Sequence, residues 1–363
     1  MDLFKNITML IPSHTRHRHI DRLLFNLKDF NCKKIIIDSS ENCYKPSNHI
    51  NTENVIIHHK PNMCLTDKFI FGTSLVETKY IFPSPDDDLY STKGLLKIYQ
   101  YIMRNDDCNS VFGQHIAFYF SDKPTYTLKH SHEFLHSITK KNQQNVKLRV
   151  SQSLNPYIQS LWAIHKTSDF ASFFNQDIQW LKSPTLYERL FKLYMASLGN
   201  TVTLPVFFCA REVNNRIGAS TNITKFDRII PFLELFKSNE KSVMKELDIF
   251  ISFIAEILSN LNNESLDRCK QLVTATLERH HKNTSYRVNN YNSIFEKFLS
   301  DNNPDKYLST ASPPYVISND FFGKSFFNFK SKFPVYNEEY KGCLLNIHEA
   351  ILVHNDIYKQ YSF

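Results

Sequence analysis

The chain has 363 residues, with 43 Lys and Arg against 36 Asp and Glu (net charge +7 with neutral histidines), 42% hydrophobic and 14% aromatic residues. That apolar content supports a large core and excludes general disorder, while only seven glycines, with no GxxxxGK[ST] and no GxGxxG, exclude P-loop and dinucleotide-binding phosphate cradles. The basic excess suits an anionic substrate or an anionic membrane surface; with no Lys/Arg block, RNP signature or Cys/His finger spacing, nucleic acid is not an expected partner.

Ile7 to Ile11 is a short β-rich run that Pro12 is expected to stop. Residues 16–30 put Ile20, Leu23, Leu24 and Leu27 on one helical face, and Lys34 to Asp38 follows as a second strand. Val55 to His59 is a third strand, 65–76 a helix, Tyr80 to Phe82 a short strand ending at Pro83, 91–104 a helix and 110–120 an extended segment. Such strand–helix alternation predicts an α/β fold, a mainly parallel sheet flanked by helices. Ligands of these sheets bind outside the carboxyl ends of the strands, which singles out the loops at 12–16, 38–44 and 83–88.

Residues 121–155 are polar and read as a loop over the site; 158–165 reads as a strand, 184–198 as a helix and 202–209 as another strand. From 228 onward, 241–262, 264–281, 290–300 and 336–360 carry apolar residues at helical spacing. The expected organisation is a catalytic domain over 1–227 and a mostly helical C-terminal region over 228–363. Seven dispersed cysteines without a CxxC favour a reduced, cytoplasmic setting over a zinc site or a disulfide framework. No apolar run reaches the ~18 residues of a membrane span, and the N-terminus lacks the pattern of a signal peptide. A peripheral position on the inner face of the cytoplasmic membrane is compatible with the charge.

The most informative stretch is Asp86-Asp87-Asp88, directly after the strand that ends at Pro83. Adjacent carboxylates repel. Mn²⁺ or Mg²⁺ removes that cost, and such ions take carboxylates together with phosphate oxygens. Spacing alone leaves a second reading open, an acidic turn capping the helix that begins near Ser91.

The span from Ile7 to about Arg216 resembles the GT-A glycosyltransferases, in particular family-2-like bacterial enzymes of capsule and O-antigen biosynthesis. The resemblance is carried by Ile11-Pro12-Ser13-His14-Thr15-Arg16 as the opening loop, by Ile36-Ile37-Asp38-Ser39-Ser40 as a strand end, and by the stretch from Lys68 to the acidic triplet. Thr15 stands where relatives usually have Asn, and Lys68 where many have Arg. The resemblance implies a GT-A-like, Rossmann-type sheet and transfer of a sugar from a nucleotide-sugar donor to a hydroxyl of a glycan or lipid-linked saccharide acceptor, with inversion. It implies that Pro12, His14 and Arg16 wall the nucleobase and that Asp38, beside Ser39, accepts a hydrogen bond from it. Lys68 approaches ribose or phosphates, Asp86 and Asp87 face the donor, and Asp88, with Asp86, holds the metal. Asp38 as a turn former and Lys68 as a solvated helix residue remain open alternatives.

An inverting transfer needs a carboxylate to deprotonate the acceptor hydroxyl. Glu188 is preferred by the resemblance, with Asp177 as the other candidate. Arg211 or Arg216 can clamp a diphosphate, or Arg211 can pair with Glu212 on the surface. Trp162 and Trp180 suit either sugar stacking or the core. His14, His17 and His19 scatter around a helix start, and His58 and His59 point to opposite faces of a strand, so neither set reads as a metal site. The rival functions are a sugar nucleotidyltransferase, disfavoured by the Gly-free loop at 12–19, and a non-catalytic glycan-binding module.

Overall fold

In a computed structural model, the structure describes residues 4–120, 126–130, 145–154, 160–178, 181, 184–212, 241–300, 315–317 and 345–351. The α/β architecture expected from the sequence is present. Strands β1 (Ile7–Ser13), β2 (Lys33–Asp38), β3 (Val55–His59) and β4 (Tyr80–Pro83) form a parallel block in the order β3-β2-β1-β4. Helices α1 (His17–Asn26) and α2 (Leu65–Ser74) connect them. Beyond β4 the sheet continues through the antiparallel β8 (Ile164–Lys166) to β6 (Cys108–Phe120), then β7 (Tyr126–His130) and β10 (Tyr315–Ile317). β9 (Asn200–Glu212) runs parallel to β6 and pairs with the two-residue β5 (Leu89–Tyr90). The sheet is mixed, and its longer ladders are parallel.

Strand alternation divides the core in two. On β1, Leu10 faces one apolar cluster and Ile7, Met9 and Ile11 the other. The same split separates Ile35 and Ile37 from Ile36 on β2, and Ile81 from Tyr80 and Phe82 on β4, as the period of two requires. Helices α1 and α3 (Thr92–Arg104) cover the second cluster; α2, α5 (Thr167–Phe174) and α6 (Pro184–Leu198) cover the first. Gly94 lets α3 approach β9, because a Cβ there would lie 2.0 Å from the Phe207 carbonyl oxygen.

Several expectations need correction. Pro12 does not end β1: it stays in register opposite Ile37. Leu10 directs its carbonyl toward β4, accepting from the Ser84 N–H (2.9 Å), and Pro12, two residues on, has the same orientation. Its missing donor therefore falls past the last β1–β4 pair, Leu10 with Pro83, where no ladder bond is lost. The strand read over 158–165 is confined to Ile164–Lys166 among the described residues. Within 121–155, the described parts are β7, which forms a hairpin with β6, and α4 (Val146–Ser153). The segments at 264–281 and 290–300 belong to one helix, α8 (Leu266–Ser300), and of 336–360 only the helix at 345–351 is described.

The C-terminal helices are not cored separately. Phe250, Ile254, Ala255 and Leu258 of α7 (Lys241–Asn262) and Cys269, Val273 and Leu277 of α8 lie in the same cluster as Leu10, Phe69 and the α6 residues Leu190 and Leu193. Asn263, at φ 51°, turns the chain from α7 into α8. The boundary expected at 227/228 lies outside the described residues. A shared core predicts shared melting: Phe250→Ala should destabilise the protein by about 3–5 kcal/mol and move a single thermal transition. Two transitions, of which only one moves, would contradict it.

Candidate donor-binding and catalytic site

The parallel block reverses its winding between β1 and β4, and such a switch point opens a crevice at the carboxyl ends of the strands. Here Ser13 ends β1, Asp38 ends β2, and Asp86 to Asp88 follow β4. Thr15 has φ 57°, in the left-handed region that a β-branched residue seldom occupies. Two hydrogen bonds hold it there: its N–H donates to Ser40 Oγ (2.8 Å) and its hydroxyl to the His14 carbonyl (2.8 Å). An Asn, the residue usual at this position in the resembled family, tolerates that conformation better.

The acidic turn is tied down from three directions. Ser13 Oγ donates to Asp86 Oδ2 (2.6 Å), and Arg16 Nη1 reaches Asp86 Oδ1 (3.2 Å) and Asp87 Oδ2 (2.5 Å). Arg22, buried on α1, donates to the Asp87 carbonyl (2.7 Å) and to Glu212 Oε2 (2.8 Å). Arg211 Nε lies 3.4 Å from Asp88 Oδ2. Asp86 and Asp88 are 4% and 3% exposed. Burial pushes the Asp86 carboxyl up to about 6, against the pull of Arg16, and Asp88 up to about 7, against the pull of Arg211. Burial likewise raises Glu212, with Arg22 opposing it. Ser91 caps α3 itself, its Oγ accepting from the Gly94 N–H (3.0 Å). The cap at this helix start is thereby filled by another residue, and the burial of Asp86 and Asp88 is left to a different cause.

Lys68 is not a solvated helix residue: it is 4% exposed and donates from Nζ to the Ser13 carbonyl (2.6 Å). Burial brings its ammonium down to about 8, with Asp86 and Asp38 opposing. Asp38 is wholly buried and closes its own turn. Oδ1 accepts from the Ser40 N–H (3.0 Å) and hydroxyl (2.5 Å), and Oδ2 from the Tyr44 N–H (2.7 Å), with His17 Nε2 at 3.2 Å. Burial works to raise this carboxyl, but those bonds hold it below its ordinary value. Beside it, His14 Nδ1 lies 3.1 Å from both the Ser39 carbonyl and Ser39 Oγ.

Glu188, half-buried on α6, lies close enough to Arg211 to raise its pKa together with Asp88, although burial opposes both. Asp177 is exposed after α5. Arg211 pairs with Asp88 rather than Glu212; the two neighbours alternate across β9, and Glu212 meets Arg22. Trp162 packs against Phe69 with ring centroids 5.8 Å apart, in the core. Trp180 and Arg216 lie outside the described residues. His17 goes to Asp38 and Ser40 Oγ, His19 to Glu212, His59 to the Ser40 carbonyl and His58 to the Phe71 ring, so the histidines do not converge on one point.

Sequence reasoning missed Arg22, placed Ser13 only within the opening loop and gave Glu212 the wrong partner. Strand alternation could have sent Arg211 and Glu212 to different partners. Arg22 carried no signal, since an arginine between Asp21 and Leu23 reads as the solvated side of an amphipathic helix.

The chemistry of the donor set suits a hard divalent cation. Asp86 and Asp88 offer buried carboxylate oxygens after the carboxyl end of β4, and Mg²⁺-type ions are held by one or two carboxylates plus phosphate oxygens. Among the described residues no group of three His, Cys, Asp or Glu side chains forms a complete metal site. No helix among them is long and apolar enough to cross a membrane.

Two measurements test this geometry. Thr15→Asn should stabilise the protein by about 1 kcal/mol, read by denaturant unfolding; a loss of stability would contradict strain at Thr15. Asp86 and Asp88 keep their protons to higher pH when folded than when unfolded, so the ligand-free protein loses stability from this pair as pH rises from about 4 to 7. The stability of Asp88→Asn relative to wild type should therefore improve steadily between pH 5 and 7.5, and a pH-independent difference would contradict the buried acid.

No protein-family model matches the sequence, and no curated protein matches it. Among solved structures, the chain is similar to S. aureus TarS 1–349 in complex with UDP-GlcNAc, at 10% identity over 99% of this chain and 93% of that one, with a TM-score of 0.49. The same TarS segment in complex with UDP gives 11% identity over 99% and 92%, with a TM-score of 0.48. Against a longer TarS chain, the match covers 76% of this chain and 43% of that one, at 11% identity and a TM-score of 0.47. Likeness at this level gives no residue a role and no activity to this chain.

Proposed function

We propose that the protein is a glycosyltransferase that moves a sugar from a nucleotide-sugar donor to a hydroxyl of a glycan acceptor. One observation carries the reading: at the switch point of the sheet, Asp86, Asp87 and Asp88 are gathered by Ser13 and Arg16 at the end of β1 and the loop after it and by Arg211 of β9. A pure glycan-binding surface has no need to bury carboxylates at the end of a parallel strand, whereas a diphosphate leaving group calls for this mixture of cations and metal-binding oxygens.

In this reading the nucleoside lies over the loop at 12–16 and the 38–40 strand end, with His14 and Ser39 lining it. Asp38 has both oxygens bonded within the protein, so it shapes the 38–44 turn and presents Ser39 rather than standing free as an acceptor. Arg16, Lys68 and Arg211 supply positive charge for the diphosphate. Asp88 and Asp86 hold Mn²⁺ or Mg²⁺, which when bound neutralises charge building on the leaving diphosphate. Glu188 takes the proton of the attacking acceptor hydroxyl, and a single displacement inverts the anomeric centre. The acceptor is a surface glycan or a lipid-linked saccharide of the capsule or O-antigen kind. The protein works in the cytoplasm or against the inner face of the membrane.

Release of nucleotide from a panel of nucleotide sugars, with Mn²⁺ and candidate saccharide acceptors, tests the assignment. Asp88→Ala should abolish transfer while circular dichroism stays unchanged. Glu188→Gln should keep donor affinity and lose turnover by about 10²- to 10⁴-fold. Full activity in Asp88→Ala would remove the metal site from the mechanism, and retained turnover in Glu188→Gln would pass the base role to Asp177 or another acid.

A further inference from the structure

Arg16 occupies a place where the proposed cation would act. Its Nη1 contacts Asp86 Oδ1 at 3.2 Å and Asp87 Oδ2 at 2.5 Å, and its side chain is 11% exposed. Arg211 does the same for Asp88 at 3.4 Å, from a side chain 25% exposed. Asp86 Oδ2 is taken by the Ser13 hydroxyl. As folded, the acidic turn already has its counter-charge, and it comes from the protein.

We infer that Arg16 is an internal counter-ion for the acidic turn, one that a divalent cation must displace and that the donor's diphosphate draws away, so that metal and nucleotide bind together. The inference rests on the proposed function for the identity of the ligands. The displacement itself is a matter of charge and geometry on this turn.

The argument has three steps. A divalent cation and a guanidinium on the same carboxylate repel strongly where water is scarce, so the metal alone meets a site filled by Arg16. Two carboxylates are also fewer ligands than a hard cation takes, and phosphate oxygens complete the set. A diphosphate solves both problems at once. It offers a guanidinium a better bidentate partner than single contacts to two different aspartates, and it supplies the missing oxygens. Coupling of this kind is reciprocal: the factor by which nucleotide tightens metal equals the factor by which metal tightens nucleotide. Arg22 takes no part in the exchange, because it is 0% exposed and fixed to Glu212 and the Asp87 carbonyl.

Arg16 thus differs from a residue that only holds the turn in shape. A structural brace, when removed, weakens metal binding; a competing counter-ion, when removed, strengthens it. The test is Mn²⁺ affinity by titration with electron paramagnetic resonance of the free ion, without nucleotide and with UDP, for wild type, Arg16→Gln, Arg16→Lys and Arg211→Gln, each checked for folding by circular dichroism. Wild type should bind Mn²⁺ at least tenfold more tightly with UDP than without. Arg16→Gln should bind Mn²⁺ alone at least tenfold more tightly than wild type and lose most of the UDP effect. Arg16→Lys should restore the wild-type weakness, and Arg211→Gln should also bind Mn²⁺ alone more tightly than wild type, which keeps the test decisive if Arg16→Gln fails to fold. Unchanged or weaker Mn²⁺ binding in the folded variant, in the absence of nucleotide, would overturn the inference. Failure of UDP to bind would count against the donor assignment alone, because the metal-only comparison still decides the role of Arg16.

Discussion

The bonds from Arg16 to Asp86 and Asp87 hold together parts of the chain seventy residues apart and make burial of the acidic turn tolerable. An unpaired carboxylate in such a place would pay a desolvation penalty large enough to unfold the turn or to keep it protonated. Arg211 does the same from the far side of the crevice, and Arg22 fixes the turn's main chain from below. Much of the surrounding architecture serves to bring these three arginines to one loop. The reversal between β1 and β4 sets the first loop beside the acidic turn, and β5 pairs with β9 so that Arg211 and Glu212 arrive next to Asp88.

Arg16, Arg22, Lys68 and Arg211 face Asp86, Asp87, Asp88 and Glu212, a near balance of charge; under the proposed function this balance readies the site for exchange of partners rather than making it simply attractive to cations. A diphosphate with its metal adds nearly equal amounts of both signs, and a balanced site can accept that pair more readily than either member alone. Packing supports the same constellation from a distance. α6 carries Glu188 and is held between α5 and the helices α7 and α8, with Arg189 Nε donating to His280 Nε2 of α8 at 3.1 Å. The C-terminal helices thereby help place the proposed base.

The parallel block was legible because its strands are short, β-branched and followed by helices of clear periodicity, and because the acidic triplet sits at a strand end. Residues whose role depends on tertiary partners were not legible. Lys68 lies on a short helix that reads as half-exposed, yet the carbonyl of Ser13 draws its ammonium inside. Asp38 has the position of a base-binding acid, but Ser40 and Tyr44 saturate it through a turn whose closure no local pattern announces. Pro12 reads as a strand terminator until the neighbouring strand is known to end at Pro83, which removes the cost of its missing donor. The long helix α8 was read as two segments because the sequence between them is polar.

The measurement that bears most directly on the central claim is a thermal-shift comparison of UDP, GDP, CMP and dTDP, with and without Mn²⁺ or Mg²⁺, on wild type and Asp88→Ala, since a ligand selective for the folded state raises its melting temperature. A rise with one nucleoside diphosphate that requires the metal and vanishes in Asp88→Ala is the predicted result. A rise of equal size in Asp88→Ala, or in the absence of metal, would contradict a donor site built on the acidic turn.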